Sequence, residues 1–314
     1  MVKSLTFGFD SFGNSDVLKE ATIEVDLTEE KDVLIKTEHI SVNPAEISMR
    51  KGLFSKKKAP TNFRILGNEI QGTVVKTNEN VTNLKIGDNI LAYIPNGGDS
   101  EYAAINHRKA FKVPSNMSNE VAAGFPMIAT TAYWCLDDYF FKSNKMTKLA
   151  IVGASGSVGS MIVQLAKQRG ITVLAAASQK NKDYLVSLGA DYTLDYRNSE
   201  EVDRFKGWAD YVINASLFNA GEELALSLLN KKGTYLGLNA LPNLENRPDV
   251  TAFFMKKTAE MKDEDALKNL LEMYQETKFE LRIGHVLPFS LGSLKEAHTL
   301  IESGKNNGKV ILKR

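Results

Sequence analysis

Cysteine is almost missing from this chain, which has one, Cys135, among 314 residues. One thiol cannot form an intramolecular disulfide or supply a cysteine-rich zinc site, so we expect a protein of the reducing cytoplasm without structural zinc. An excess of one charge is also missing, because 39 Lys and Arg residues balance 38 Asp and Glu residues. A chain without a global electric field is not expected to bind nucleic acid or an anionic membrane, and its expected partners are small molecules or proteins.

A segment typical of a membrane helix is missing as well. The longest run without charge, 149–166, has Gly153, Gly156 and Gly159 and several serines in its middle, between a strand-like start and a helix-like end. The first residues lack the positive head and apolar core of a secretion signal, so we expect no export.

The chain shows two patterns of predicted secondary structure. The first 110 residues or so read as short strands separated by turn residues, as in 33–41 and 70–76. From about Glu120, apolar strand-like runs alternate with helical periods, which predicts a parallel sheet covered by helices on both faces. The final segment, from about Ile283, is again similar to the first part. The part of the chain with the second pattern is therefore predicted to be a domain inserted into the domain that has the first pattern.

The strongest chemical signal is a glycine-rich turn between a buried strand and a helix. Its residues are Ala154, Ser155, Gly156, Ser157, Val158 and Gly159. Gly156 would let the backbone approach a pyrophosphate, Gly159 would let the helix pack on the strand, and the helix N-terminus would supply amide donors. Alanine replaces the first glycine of the dinucleotide fingerprint, and the alternative interpretation is a plain tight turn. We predict dinucleotide binding.

The next strand indicates which dinucleotide is bound. It ends at Ser178, where an NAD enzyme usually has an acidic residue for the ribose 2′-hydroxyl. Lys180 and Lys182 follow, and a cation or hydroxyl suits a 2′-phosphate that a carboxylate would repel. Both lysines could instead only solvate the start of a helix. The pattern favours NADPH as the cofactor.

A dozen motifs in order make the chain resemble the medium-chain dehydrogenase/reductase superfamily, in its zinc-free quinone oxidoreductase (zeta-crystallin-like) branch. The resemblance covers nearly the whole chain, including 41–44, 66–74, 84–89, 129–133, the glycine turn, 177–180, 188–191, 195–197 and 303–312. It implies an α/β fold in which a doubly wound Rossmann domain, 120–281, is inserted into a mostly β GroES-like catalytic domain, 1–119 and 282–314.

The resemblance also implies roles for individual residues. Asn43 and Thr131 would lie near the nicotinamide, and Asn239 and the Lys309 segment would lie beside the cofactor. Ser178, Lys180 and Tyr196 would lie near the adenosine 2′-phosphate.

Two departures from related enzymes bear on the chemistry. Asn68 stands where zinc alcohol dehydrogenases have a histidine ligand, and no cysteine ligand is nearby, so no catalytic zinc is expected. Ser48 stands where many quinone reductases have tyrosine.

Our leading functional hypothesis is an NADPH-dependent reductase of quinones or α,β-unsaturated carbonyls. Its proton would come from solvent or from a hydroxyl such as Ser48 or Thr131. One alternative is an enoyl-thioester reductase, whose substrate would need a basic rim such as Arg50, Lys51 and 56–58. Another is an NADPH-binding sensor or accessory protein without turnover. A homodimer is expected from the resemblance and from the apolar residues 252–255, which could join a partner.

Overall fold

The computed structural model describes residues 1–53, 55, 60, 62–140 and 147–314. Its strands, numbered in chain order, are β1 (Val2–Phe9), β2 (Lys19–Val25), β3 (Val33–Val42), β4 (Arg64–Ile65), β5 (Glu69–Thr77), β6 (Asn89–Tyr93), β7 (Tyr102–Ile105), β8 (Ala110–Lys112), β9 (Lys148–Val152), β10 (Thr172–Ala177), β11 (Tyr192–Asp195), β12 (Ala209–Asn214), β13 (Leu229–Gly237), β14 (Thr251–Phe254), β15 (Ile283–Pro288) and β16 (Lys309–Lys313). Its α-helices are α1 (Pro44–Arg50), α2 (Asn119–Cys135), α3 (Ser157–Gln168), α4 (Lys182–Ser187), α5 (Ser199–Arg204), α6 (Glu222–Leu228), α7 (Asp263–Glu276) and α8 (Leu291–Glu302).

Two compact units make up the chain, Met1–Met127 with Asp263–Arg314 and Ile128–Lys262. These limits differ from the boundaries expected from sequence, after 119 and after 281. At the first limit, α2 begins before the boundary and continues past it. At the second, α7 belongs to the first unit, because Tyr274 on α7 and Phe279 pack against Phe125 of α2 with ring centres 5.5 and 6.3 Å from the Phe125 ring.

The first unit is mostly β. One sheet has the order β15-β16-β3-β5-β6-β8, with β7 also paired to β3, and a smaller sheet has the order β2-β1-β4. Strand β3 is buried along most of its length, and Ile35, Ile70 and Leu312 from three different strands are fully buried in one core. The C-terminal strand β16 lies beside β3, so the end of the chain completes a sheet that its beginning started.

The second unit is one parallel sheet with the order β11-β10-β9-β12-β13-β14. Its central strand β9 reads Lys-Leu-Ala-Ile-Val, and only the lysine is exposed, as expected for a strand with a helix on each face. The strand order reverses between β9 and β12, which is where such sheets bind their ligands. The predicted fold class, a Rossmann sheet domain with a mostly β domain, is confirmed.

Cys135 ends α2 and is fully buried. Burial disfavours the charged thiolate and raises the pKa of the Cys135 thiol well above its usual value. In the described part of the chain, no helix is long and apolar enough to cross a membrane.

Candidate active site

A glycine-rich turn joins β9 to α3 at the carboxyl edge of the parallel sheet. Gly153 has φ +77°, in the left-handed region that favours glycine, and a Cβ there would lie 2.8 Å from the backbone nitrogen of Ser216. Helix α3 begins at Ser157, and the first amides of a helix have no partner within it. This end of α3 therefore offers hydrogen-bond donors and partial positive charge to an anion.

The remaining small residues of the turn have separate physical reasons. A Cβ on Gly159 would lie 2.4 Å from the Gly153 carbonyl oxygen, so only glycine lets α3 pack this closely. Gly156 is exposed, and a Cβ there would meet only that oxygen, at 3.3 Å, which leaves its outer side open to a ligand. Ala154 is tolerated at the first fingerprint position because the positive φ falls on Gly153 instead.

Asn181 connects the glycine turn to the end of β10. Its Nδ2 lies 3.2 Å from the hydroxyl oxygens of both Ser155 and Ser178. Sequence reasoning missed Asn181, although its position three residues after Ser178 was visible. These hydrogen bonds hold the glycine turn against the end of β10, where we predicted that the 2′-phosphate binds.

The two lysines after β10 have different environments. Lys182 Nζ lies 2.7 and 2.9 Å from the two carboxylate oxygens of Glu201, so its charge is neutralised within the chain. Lys180 is exposed, and no ion pair to it is found among the described residues. The sequence could not separate these two lysines, and the structure leaves Lys180 as the one available to an external anion.

Tyr196 follows the neighbouring strand β11 at the same edge. Ala177 pairs with Asp195, so Ser178 and Tyr196 are the first residues beyond two adjacent strands. Tyr196 is 47% exposed, and the guanidinium of Arg197 lies 5.3 Å from the centre of its ring. Arg197 is a second exposed cation at this edge that sequence reasoning did not assign to the site.

Asn239 follows β13 at the other half of the same edge. Its side chain is exposed, and Nδ2 donates a hydrogen bond to the Ser216 carbonyl oxygen at 2.7 Å. The amide therefore ties two loops of the edge together.

In the first unit, Asn43 and Lys309 meet around a buried carboxylate. Lys309 Nζ lies 2.6 Å from Asn43 Oδ1 and 2.9 Å from Glu69 Oε2, and Asn43 Nδ2 donates to the same Glu69 oxygen at 2.8 Å. The other oxygen of Glu69 accepts the backbone N–H of Met127 at 2.7 Å. A Cβ on Gly124 would lie 3.0 Å from Lys309 Cε, so a small residue helps the lysine reach Glu69.

Two more carboxyl groups are buried in this unit near the Asn43 cluster. Glu46 Oε1 accepts the backbone N–H of Asn43 at 3.1 Å, and both Glu46 and Asp99 have no exposed surface. Burial, reinforced by the Asp99 charge, raises the pKa of Glu46 well above its usual value. Burial raises the pKa of Asp99 to about 8. The Lys309 ammonium therefore balances the Glu69 carboxylate, whereas burial favours the protonated forms of Glu46 and Asp99.

The raised pKa of Asp99 predicts a pH dependence of stability. Because the folded pKa of about 8 exceeds the usual value of 3.8, the unfolded chain loses this proton first, and stability falls between these two pH values. We expect Asp99→Asn to flatten the fall in the free energy of unfolding between pH 5 and about pH 8. Urea unfolding at several pH values checks this, and parallel profiles for the wild type and the variant would contradict it.

Ser48 lies in α1 and Thr131 in α2, and both side chains are half-buried. They belong to different compact units.

The basic residues considered as a rim for a thioester substrate are engaged within the chain where the structure describes them. Arg50 is fully buried. Arg50 and Lys51 both contact Glu302, with nitrogen-to-oxygen distances of 2.9 and 2.5 Å. Residues 56–58 lie outside the described residues.

Comparison with known proteins agrees with this architecture. Residues 29–117 match the alcohol dehydrogenase GroES-like domain, and residues 188–312 match a domain family described as zinc-binding dehydrogenase. A 2-methylene-furan-3-one reductase from Solanum lycopersicum is 30% identical over 98% of this chain and 78% of its own length. The chain belongs to the quinone oxidoreductase branch of the medium-chain dehydrogenase/reductase superfamily. An NADPH-dependent alkenal/one oxidoreductase from Arabidopsis thaliana is 28% identical over 97% of this chain and 78% of its own length.

Solved structures share this fold. The quinone oxidoreductase from Coxiella burnetii superposes with a TM-score of 0.82 over 100% of both chains, at 24% identity. At this level of identity the likeness concerns the fold alone.

The contacts of Asn68 bear on zinc binding, because this residue stands where zinc alcohol dehydrogenases have a histidine ligand. Asn68 donates its Nδ2 to the Pro95 carbonyl oxygen at 2.6 Å, and its side chain is buried. Among the residues that the structure describes, no group of three or more His, Cys, Asp or Glu side chains is placed to hold a metal ion. We expect elemental analysis of protein purified without chelator to find far less than one zinc per chain, and a stoichiometric zinc would overturn this expectation.

Proposed function

We propose that the chain is an NADPH-dependent reductase that transfers hydride to quinones or α,β-unsaturated carbonyl compounds. The observation that carries the cofactor assignment is the set of charges at the end of β10. Ser178 stands where NAD enzymes have an acid, the charge of Lys182 is neutralised by Glu201, and Lys180 is exposed. An exposed cation suits a 2′-phosphate. The glycine turn fits a pyrophosphate, because Gly156 leaves space for it and α3 begins beside it.

The names of the two relatives support the proposed substrate class. One is a 2-methylene-furan-3-one reductase and the other an alkenal/one oxidoreductase. A carbon–carbon double bond conjugated to a carbonyl is already electrophilic, so hydride addition needs no metal ion to activate it. Reduction of such compounds is therefore compatible with the side chains that the structure describes.

Bound NADPH would supply the hydride, and the chain would supply binding, orientation and a proton. The glycine turn and Lys180 would hold the phosphates. By resemblance to the family, Asn43 and Thr131 would lie near the nicotinamide and Lys309 beside the cofactor. Because both ends of the Asn43 amide are hydrogen-bonded within the chain, we assign Asn43 a fixed orientation in the site. The hydroxyl of Ser48 or Thr131, or a solvent molecule, would deliver the proton to the reduced substrate.

The experiment that tests this function is the loss of NADPH absorbance with a panel of quinones and enones. We expect turnover with members of the panel and none with saturated carbonyls. Strong inhibition by acyl-CoA, with turnover of enoyl-CoA, would instead indicate the enoyl-thioester reductase. Tight NADPH binding without turnover of either class would indicate a sensor or accessory protein.

We also propose that the protein is a homodimer. Among the described residues, strand β14 is one of the two edges of the parallel sheet, and its Phe254 is 43% exposed. An unpaired apolar edge is unfavourable in water and suits pairing with a second copy. Light scattering at micromolar concentration is expected to give twice the chain mass of 34.7 kDa, and Phe254→Asp is expected to shift the protein toward monomer. A monomeric wild type would remove this proposal.

A cytoplasmic location is part of the same proposal. Its support is the single cysteine, which is buried and suits a reducing compartment. The relative from Arabidopsis thaliana is named as chloroplastic, so fractionation of cells that express the protein decides the location.

A further inference from the structure

The loop after β12, residues 215–219, packs directly against the glycine turn. The backbone N–H of Ala215 donates to the Val152 carbonyl oxygen at 2.9 Å, and Ser216 lies where a Cβ on Gly153 would have to go. β9 and β12 are the two strands between which the sheet order reverses. The loop therefore lines the crevice in which a doubly wound sheet binds a dinucleotide.

A buried polar network fixes the base of this loop. Asn214, the last residue of β12, accepts hydrogen bonds from the backbone N–H of Ser216 at 3.1 Å and from its hydroxyl at 2.6 Å. The Asn214 amide donates to Asn219 Oδ1 at 2.7 Å and to the Tyr235 hydroxyl at 2.9 Å. The Tyr235 hydroxyl in turn donates to Asn219 Oδ1 at 3.0 Å. Asn214 and Tyr235 are 1% and 0% exposed, so water does not compete for these bonds.

The network holds one residue in an unfavourable backbone conformation. Asn219 has φ +61°, a region that residues other than glycine rarely adopt, and its Nδ2 also donates to Glu222. The Ser216 hydroxyl accepts the backbone N–H of Gly221 at 2.9 Å, and Asn239 donates to the Ser216 carbonyl. Both ends of the loop are therefore tied to the sheet, and its exposed side presents Leu217, which is 39% exposed.

The sheet topology decides which half of a dinucleotide the loop faces. The turn after β9 holds the pyrophosphate in such folds, and the residues after β10 bind the adenosine ribose. The nicotinamide half must then extend the other way, over the ends of β12 and β13, where the loop and Asn239 lie.

We propose that the Asn214–Tyr235–Asn219 network is a positioning device that fixes the loop 215–219 for the nicotinamide–ribose half of the cofactor. The proposal rests on the proposed function, in that a dinucleotide binds at this edge. Tyr235 and Asn214 are buried and act through the loop, so they are positioning residues. A loop held in one conformation before binding loses less conformational entropy when the cofactor binds.

Two ligands test the proposal on the intact protein, NADPH and adenosine 2′,5′-bisphosphate, which lacks the nicotinamide half. We expect Tyr235→Phe to raise the Kd for NADPH about 5- to 10-fold, the effect of about one lost hydrogen bond, and to leave the Kd for the bisphosphate unchanged. Asn219→Gly keeps the backbone conformation but removes the side-chain bonds, and the same selective loss is expected.

Tyr274→Phe is the matched control. Tyr274 lies in the other compact unit, and its buried hydroxyl has no hydrogen-bond partner among the described residues, so its removal should change neither dissociation constant. Equal losses for both ligands in Tyr235→Phe would mean that the network only supports the sheet, and no loss for either would mean that the loop does not hold the nicotinamide half. Failure of wild-type protein to bind either ligand would overturn the proposed function itself.

Discussion

Replacement of Lys180 by alanine is expected to weaken NADPH binding about 10- to 150-fold and to leave NADH binding almost unchanged. This range corresponds to the loss of one hydrogen bond to a charged group, about 1.5 to 3 kcal/mol. Lys180 is exposed after β10, so the substitution removes a charge without disturbing a packed side chain. Titration of both cofactors by protein fluorescence measures the difference.

Lys182 provides the matched control for this substitution. Its ammonium lies 2.7 Å from Glu201, so its charge is already used within the chain. Lys182→Ala is expected to affect NADPH and NADH equally and weakly. Equal losses for the two cofactors in Lys180→Ala would mean that Lys180 does not contact the 2′-phosphate.

The reverse substitution tests the same site from the other side. Ser178→Asp would place a carboxylate where a 2′-phosphate is proposed, and the repulsion should lower NADPH affinity. The same carboxylate offers an acceptor to the free ribose hydroxyls of NADH, so the preference should move toward NADH.

Substitution of either member of the buried Lys309–Glu69 pair is expected to destabilise the fold by about 3 to 5 kcal/mol. Lys309 is 4% and Glu69 0% exposed, so Lys309→Met or Glu69→Gln leaves one buried charge without its partner. The double variant Lys309→Met/Glu69→Gln leaves no such charge, and much of the lost stability should return. Urea unfolding of the four proteins gives the coupling free energy between the two side chains.

Lys313 serves as the control on the same strand. Its side chain is 52% exposed and its ion pair with Glu120 spans 3.5 Å, so Lys313→Met should cost less than about 1 kcal/mol. If the stability losses of Lys309→Met and Glu69→Gln simply added in the double variant, Lys309 and Glu69 would not be energetically coupled.

The local features of the candidate site followed from sequence because they depend on neighbours in the chain. Gly159 has to be glycine because α3 starts only five residues after the end of β9 and packs back against it, and that spacing is visible in the sequence. The ends of buried strands were also visible, since β9 and β10 are short apolar runs.

The features that sequence reasoning missed depend on residues far apart in the chain. Glu69 and Lys309 are 240 positions apart and meet only because β16 inserts beside β3, which also pairs with β5, the strand that begins at Glu69. In the sequence, Glu69 looks like a polar residue at a strand end. Lys182 gave the same signal as Lys180, and only the position of Glu201 on α5 separates them.

The buried position of Cys135 has a consequence for an enzyme with the proposed substrates. Enones and quinones are electrophiles that alkylate thiols, and the reacting species is the thiolate. The only thiol of the chain is fully enclosed at the end of α2, where burial keeps it protonated. We therefore expect the protein to keep its activity in a high concentration of the proposed substrates, without loss through thiol adducts.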